Sequence, residues 1–313
     1  WDVYQLVPML MALGIAAVTT FVALRTLRLF RAADLSFYRY NLKASGIIKQ
    51  AGWVFLGFAV MWIGINAHSG WVRYHESGGA IAFQSLQIPD ELALAQANPD
   101  QWLSVSDRTN IVEGKNHLNA ANNLGLFTNS DALPKLAWFE YLSGNTERTV
   151  DLLGRAAEHQ NGEAKALSLY YRGAIMNRLG RFDEALASLD QALEEASNLV
   201  AAHEEKGESL WQLGRRQEAV AAWNDAITSN PGLPLANTFL AGAAASTGRT
   251  DAAAAHQKQA EPATPSDPYY LWMLGLRLQN VGMNEIAEKH FERAAKLNPA
   301  FLLRRNFPPK DRR

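Results

Sequence analysis

Two kinds of apolar pattern divide this chain. From Leu6 to Leu24, LVPMLMALGIAAVTTFVAL runs without a charge, long enough as a helix to cross the roughly 30 Å hydrocarbon layer of a bilayer. A second uncharged run, AGWVFLGFAVMWIGINA from Ala51 to Ala67, has Trp53 near its start and Trp71 and Tyr74 just beyond its end, aromatics suited to membrane interfaces. The two runs predict transmembrane helices at about 5–27 and 51–68. Farther along the pattern becomes periodic. In FDEALASLDQALEEA, Phe182, Leu186, Leu189 and Leu193 recur at three- and four-residue steps, which makes one apolar stripe on a helix that must be covered by a partner.

Small residues recur around that stripe at a fixed period of 34 residues. Gly180, Ala185 and Ala192 are followed by Gly214, Ala219 and Ala226, then by Gly248, Ala253 and Ala260, then by Gly282, Ala287 and Ala294. Seven residues before each glycine stands another small residue: Gly173, Gly207, Ala241 and Gly275. Pro231, Pro265 and Pro299 close the last three units, and Ser197 fills the matching slot of the first. Small residues let the two helices of a pair approach closely, the glycine supplies a permissive turn, and the proline ends the second helix. One pair cannot bury both its faces, so neighbouring pairs must stack.

This pattern resembles the tetratricopeptide repeat family, whose unit has small residues at positions 8, 20 and 27, glycine at 15, an aromatic at 24 and proline at 32. Trp223 and Phe291 fill the aromatic slot, whereas Leu189 and Gln257 depart from it. A fifth, degenerate unit reads upstream, with Ala137, Gly144, Leu153 and Ala156. The resemblance implies an all-α fold in which two membrane helices precede an α-solenoid of about five helix pairs over residues 130–300. It also implies a concave groove lined by the first helix of each pair. Carried onto this chain, the family's groove positions fall on Trp138, Tyr141, Tyr170, Asn177, Arg178, Glu204, Glu208, Trp211, Tyr269, Trp272, Gln279 and Asn280. Aromatics dominate interface energetics, so such a groove suits a peptide or partner helix; the alternative for Trp138, Trp211 and Trp272 is packing between neighbouring helices. Tyr170 and Glu204 occupy the slot of the basic clamp that some family members use to hold a C-terminal carboxylate, which disfavours that mode of binding.

Charge gives the anchor a direction. Between the two apolar runs lie Arg25, Arg28, Arg31, Arg39, Lys43 and Lys49 against the single acid Asp34. Positive loops stay in the cytoplasm, so residues 1–75 read as a membrane anchor with a basic cytoplasmic loop, and the repeats fall on the periplasmic side of a bacterial inner membrane. The chain opens on Trp1 rather than methionine, as expected of a processed product or the tail of a longer membrane protein. Residues 76–129 form a connector in which IPDELALAQANPD reads as a short helix between Pro89-Asp90 and Asn98-Pro99. The connector is expected to cap the solenoid and seat it on the membrane. Residues 301–313 form a basic tail.

Candidate chemistry is sparse. A net charge of −1 gives no electrostatic reason to expect nucleic acid. The absence of cysteine excludes disulfides, thiolate metal sites and a cysteine nucleophile in this chain. His68 and His75 are seven residues apart, a spacing that suits separate roles, and a haem between the spans finds no histidine in either run. Glu194 and Glu195, or Glu204, Glu205 and Glu208, read as solvated helix faces. No phosphate-cradling loop or serine nucleophile motif occurs. No catalysis, cofactor or metal is therefore expected. The expected function is a membrane-anchored scaffold whose partners are the bilayer and protein subunits of a membrane complex that it organises or assembles. The alternative is an accessory subunit or C-terminal portion of an electron-transfer enzyme whose redox centres lie in another chain or upstream segment.

Overall fold

A computed structural model describes residues 3–86, 88, 90–95, 103–125, 129–228 and 230–299. Trp1, Pro89, the Asn98-Pro99 pair and the tail 301–313 lie outside the described residues. The chain divides into two compact units, residues 1–75 and 76–313.

The first unit holds α1 (Val3–Arg31) and most of α2 (Gln50–Gln84). Both are long and apolar enough to cross a membrane. The second outruns the expected span because no proline interrupts residues 68–84, so Trp71, Tyr74 and both histidines ride on it. The segment expected as a basic loop is partly folded, and it adds the only strands among the described residues: β1 (Leu35–Phe37), β2 (Tyr40–Ala44) and β3 (Ile47–Ile48), antiparallel in that order. Ser45 and Gly46 both take positive φ, at 52° and 79°, as a two-residue hairpin turn matched to strand twist requires. Asp34 accepts the Ser45 N–H at 2.6 Å, so the single acid of this segment fastens that turn. Arg25 lies 5.5 Å from the Phe21 ring and 5.6 Å from Phe37.

The second unit is a stack of helices. Helix α4 (Val105–Leu124) buries Ile111, Gly114, Leu118 and Ala121 on one face and packs on the first repeat helix, α5 (Ala132–Leu142). Lys115 reaches the buried Glu140 carboxylate at 2.7 Å across that contact. Five pairs follow: α5 with α6 (Thr146–Glu158), α7 (Gly162–Arg178) with α8 (Phe182–Glu195), α9 (Val200–Gln212) with α10 (Arg216–Thr228), α11 (Pro234–Ser246) with α12 (Thr250–Ala260), and α13 (Pro268–Asn280) with α14 (Asn284–Leu297).

The periodic small residues have a physical use. Gly144, Gly180, Gly214, Gly248 and Gly282 sit between the helices of each pair at φ of 73° to 80°, a conformation that glycine reaches without a Cβ penalty. The next N–H returns to a carbonyl of the last helical turn in each case, Arg181 to Met176, Arg215 to Leu210 and Met283 to Leu278 among them, which satisfies carbonyls that the helix end would leave unpaired. In three of the pairs a glycine seven residues earlier, Gly173, Gly207 or Gly275, admits the second helix. A Cβ on Gly173 would stand 2.6 Å from Leu189 Cγ, and one on Gly275 would stand 2.5 Å from Phe291 Cε1. In the fourth pair Gln257 is exposed; there the buried face of α11, from Leu235 to Ala244, packs against α12 through Ala253 and Ala260.

Candidate protein-docking groove

The first helices of the pairs carry every groove residue expected from the sequence, but they do not leave an open trough. Trp138, Tyr141, Tyr170, Asn177, Glu204, Glu208, Trp211 and Trp272 are all buried, and the Arg178 side chain is only 9% exposed. Tyr269 and Gln279 face solvent and Asn280 is half-buried. The expectation of an exposed aromatic channel is therefore corrected, for two reasons: the solenoid curves until α13 meets α9, and a connector segment lies on the concave side.

The first closure joins units two repeats apart. Trp211 Nε1 donates to the Val281 carbonyl at 3.0 Å, and Gln212 Nε2 donates to the Asn280 carbonyl. Arg216 covers the open face of Trp211, its guanidinium 3.7 Å from the ring centroid. Beneath these contacts lies a buried ion network. Arg178 pairs with Glu205 at 2.8 Å and with Glu208 at 3.3 Å. Arg277 pairs with Glu205 at 2.7 Å, and its Nε donates to Glu208 at 2.8 Å. Asn177 donates to the other Glu205 oxygen at 2.9 Å and accepts from Ser209 Oγ at 2.6 Å. The acids of α9 thus do not form a solvated face. Each would be costly to bury alone, and the two guanidinium groups with their hydrogen bonds are what make the site tolerable.

Burial and pairing act differently on two of the α9 carboxyls. Burial raises the Glu204 carboxyl to about 7, with the partly opposing pull of Arg277. Burial pushes Glu205 the same way, yet Arg178 and Arg277 on either side bring it below its ordinary value. Glu205, Ser209 and Arg277 were not among the residues expected at the groove. For Glu205 and Arg277 the only sequence signal is opposite charge on groove-forming helices of different units, which has no fixed spacing, and the neutral Ser209 carries none.

The second closure is helix α3 (Asp90–Ala95). Unlike α4, which caps the stack, α3 lies against α7 and α13. Tyr141 Oη donates to the Ala93 carbonyl at 3.0 Å. Arg178 Nε donates to the Leu94 carbonyl at 2.6 Å, and Tyr171 Oη donates to Asp90 Oδ2 at 2.6 Å. Ala93 is fully buried and Leu94 nearly so. Among the described residues no three His, Asp or Glu side chains gather closely enough to hold a metal ion.

Stacked helix pairs with a lined concave side define an α-solenoid, a class that works by presenting extended surface to other proteins. Residues 177–234 and 204–268 each match the tetratricopeptide repeat family, so the stretch 177–268 carries tetratricopeptide repeats. No curated protein sequence matches it. Among solved structures, MamA from Desulfovibrio magneticus, residues 41 to the end, is 19% identical with a TM-score of 0.40, covering 55% of this chain and 96% of its own. YrrB, described as a tetratricopeptide repeat protein with an unusual peptide-binding site, is 15% identical with a TM-score of 0.36, covering 64% of this chain and 86% of its own.

Proposed function

We propose that this chain is a non-catalytic scaffold anchored in a bacterial inner membrane by α1 and α2, with its repeats in the periplasm, where it holds or assembles protein subunits of a membrane complex. The observation that carries the anchor is apolar surface left uncovered. Leu13, Phe21, Leu24 and Leu27 on α1, with Val54, Val60, Met61 and Ile65 on α2, are exposed. Contiguous apolar surface of this kind marks a site where lipid or protein replaces water. The observation that carries the scaffold is the repeat stack itself, whose regularity is spent on surface and packing.

Two measurements test the reading. A cysteine at Ile47, on the exposed end of the small sheet, should be shielded from a membrane-impermeant thiol reagent in intact cells. One at Ser266, in the exposed turn before α13, should react once the outer membrane is permeabilised. The reverse pattern overturns the periplasmic placement. Purification of the full chain in mild detergent should bring down integral membrane subunits in fixed ratio; a chain that is extracted from membranes by alkaline carbonate, or that purifies alone, overturns the anchored scaffold.

A further inference from the structure

We propose that residues 90–95 occupy the concave groove as a built-in ligand, and that the groove's external partner is a protein segment that presents the C-terminal end of a short helix with a matching face. That face carries an acidic residue and, three and four positions later, a small and a branched apolar residue. The proposal rests on the scaffold reading above and specifies what one of its surfaces grips.

The contacts show what is recognised. Asp90, Ala93 and Leu94 stand at i, i+3 and i+4, one face of a helix, and among the described groups of the segment those three positions meet the groove. Two of the three recognised groups are main-chain carbonyls, accepting from Tyr141 on α5 and Arg178 on α7; the third is the Asp90 carboxylate, accepting from Tyr171. The last carbonyls of a helix have no partner within it, and a cation placed there also meets the negative end of the helix dipole. Arg178 is divided between two tasks. Its Nη1 and Nη2 are held by Glu208 and Glu205 in the floor, which leaves Nε aimed at the Leu94 carbonyl. The buried network is thus the support that orients the donor.

Nothing in this set is peculiar to the chain's own segment. Carbonyls are common to every helix end, and the described side chains ask for an acid at the Asp90 position, a small residue where Ala93 is fully enclosed, and an apolar residue at the Leu94 position. A six-residue helix is too short to hold its shape unaided, so the groove supplies its order, and a competing helix end of the same chemistry can replace it. An internal occupant lowers the groove's apparent affinity for such a partner by the fraction of time the groove stands open.

The test uses the full chain in detergent and, as probe, a fluorophore-labelled synthetic peptide of residues 86–104. In one variant Ala93→Arg with Leu94→Asp places charge on the enclosed face and expels the segment. In a second variant residues 87–102 are replaced by a Gly-Ser linker of equal length. Either variant should bind the peptide at least about tenfold more tightly than the wild type by anisotropy, with unchanged helicity, and a peptide bearing Leu94→Asp should not bind. Folded variants that bind no better than the wild type overturn the proposal. Loss of native circular dichroism in both variants also overturns it, because the segment is then a permanent part of the core. Copurification of membrane subunits is read separately: its failure with peptide binding intact sinks the scaffold reading and leaves the groove's ligand standing.

Discussion

Replacing Gly207 with alanine probes the contact on which the repeat pattern depends. An ideal Cβ at this position would run into Trp223 Nε1 and stand 2.5 Å from Cδ1 and 2.6 Å from Cε2, where real Cβ contacts stay beyond 3.0 Å. The indole has nowhere to retreat. Trp223 is fully buried, stacked on Phe239 with centroids 4.9 Å apart, and its N–H donates to the Glu204 carbonyl at 3.2 Å. Overpacking a core contact costs typically about 1–3 kcal/mol, and a displaced indole N–H forfeits about 1 kcal/mol of hydrogen bonding. Alanine returns about 1 kcal/mol of helix propensity relative to glycine, so the net loss should be about 2 kcal/mol. At roughly 2–4 °C per kcal/mol for a unit of this size, the melting midpoint should fall by about 4–8 °C. The assay is thermal unfolding of the detergent-solubilised chain followed by near-ultraviolet circular dichroism, which reports tryptophan packing. Gly242→Ala is the control, because its Cβ would meet the tip of Met283, a flexible side chain that can swing aside, so it should melt within about 2 °C of the wild type. A Gly207→Ala chain that melts at or above the wild type, or both variants falling equally, would refute the packing argument.

Three further outcomes follow from the groove. Arg277→Met leaves Glu205 and Glu208 to share Arg178 and should destabilise the chain by about 3–5 kcal/mol, with Glu208→Leu in the same chain recovering part of the loss; urea unfolding decides, and a loss below about 1 kcal/mol rejects a buried network. Glu204 keeps its proton to about pH 7 in the folded chain against an ordinary value of 4.5, so folding becomes less favourable as pH rises through that window. Glu204→Gln should therefore gain on the order of 3 kcal/mol over the wild type at pH 8 and nothing at pH 4; a difference independent of pH contradicts the assignment. Trp211→Ala removes a buried ring that also fastens α9 to α13 through the Val281 carbonyl, and should cost about 3–5 kcal/mol in the same unfolding assay, whereas a surface aromatic would be silent.

The helix pairs, their turns and the close approach of positions such as Gly207 and Trp223 were legible in the sequence because each is a local matter. A glycine in the left-handed region, a small residue sixteen positions before an aromatic, and an apolar stripe all act within one repeat. The uncharged runs were equally plain, since length and composition alone set whether a helix can cross a bilayer. Less legible was the small sheet, whose strands of two to five residues are too short for alternation to stand out and whose Ser45-Gly46 turn is a single weak signal. The groove was the least legible. Its lining positions could be named, but whether that lining faces water depends on how the rotation between repeats accumulates, and it accumulates enough here to bring Trp211 to Val281 across 70 positions. Asp90, Ala93 and Leu94 reach their partners across 48 to 84 positions, and no periodicity encodes such a meeting. The sequence by itself determined the repeating unit, because that unit is held by contacts between near neighbours. Only the tertiary structure decided what fills the concave side and which charges are buried there, because those contacts exist only once five pairs have stacked and curved together.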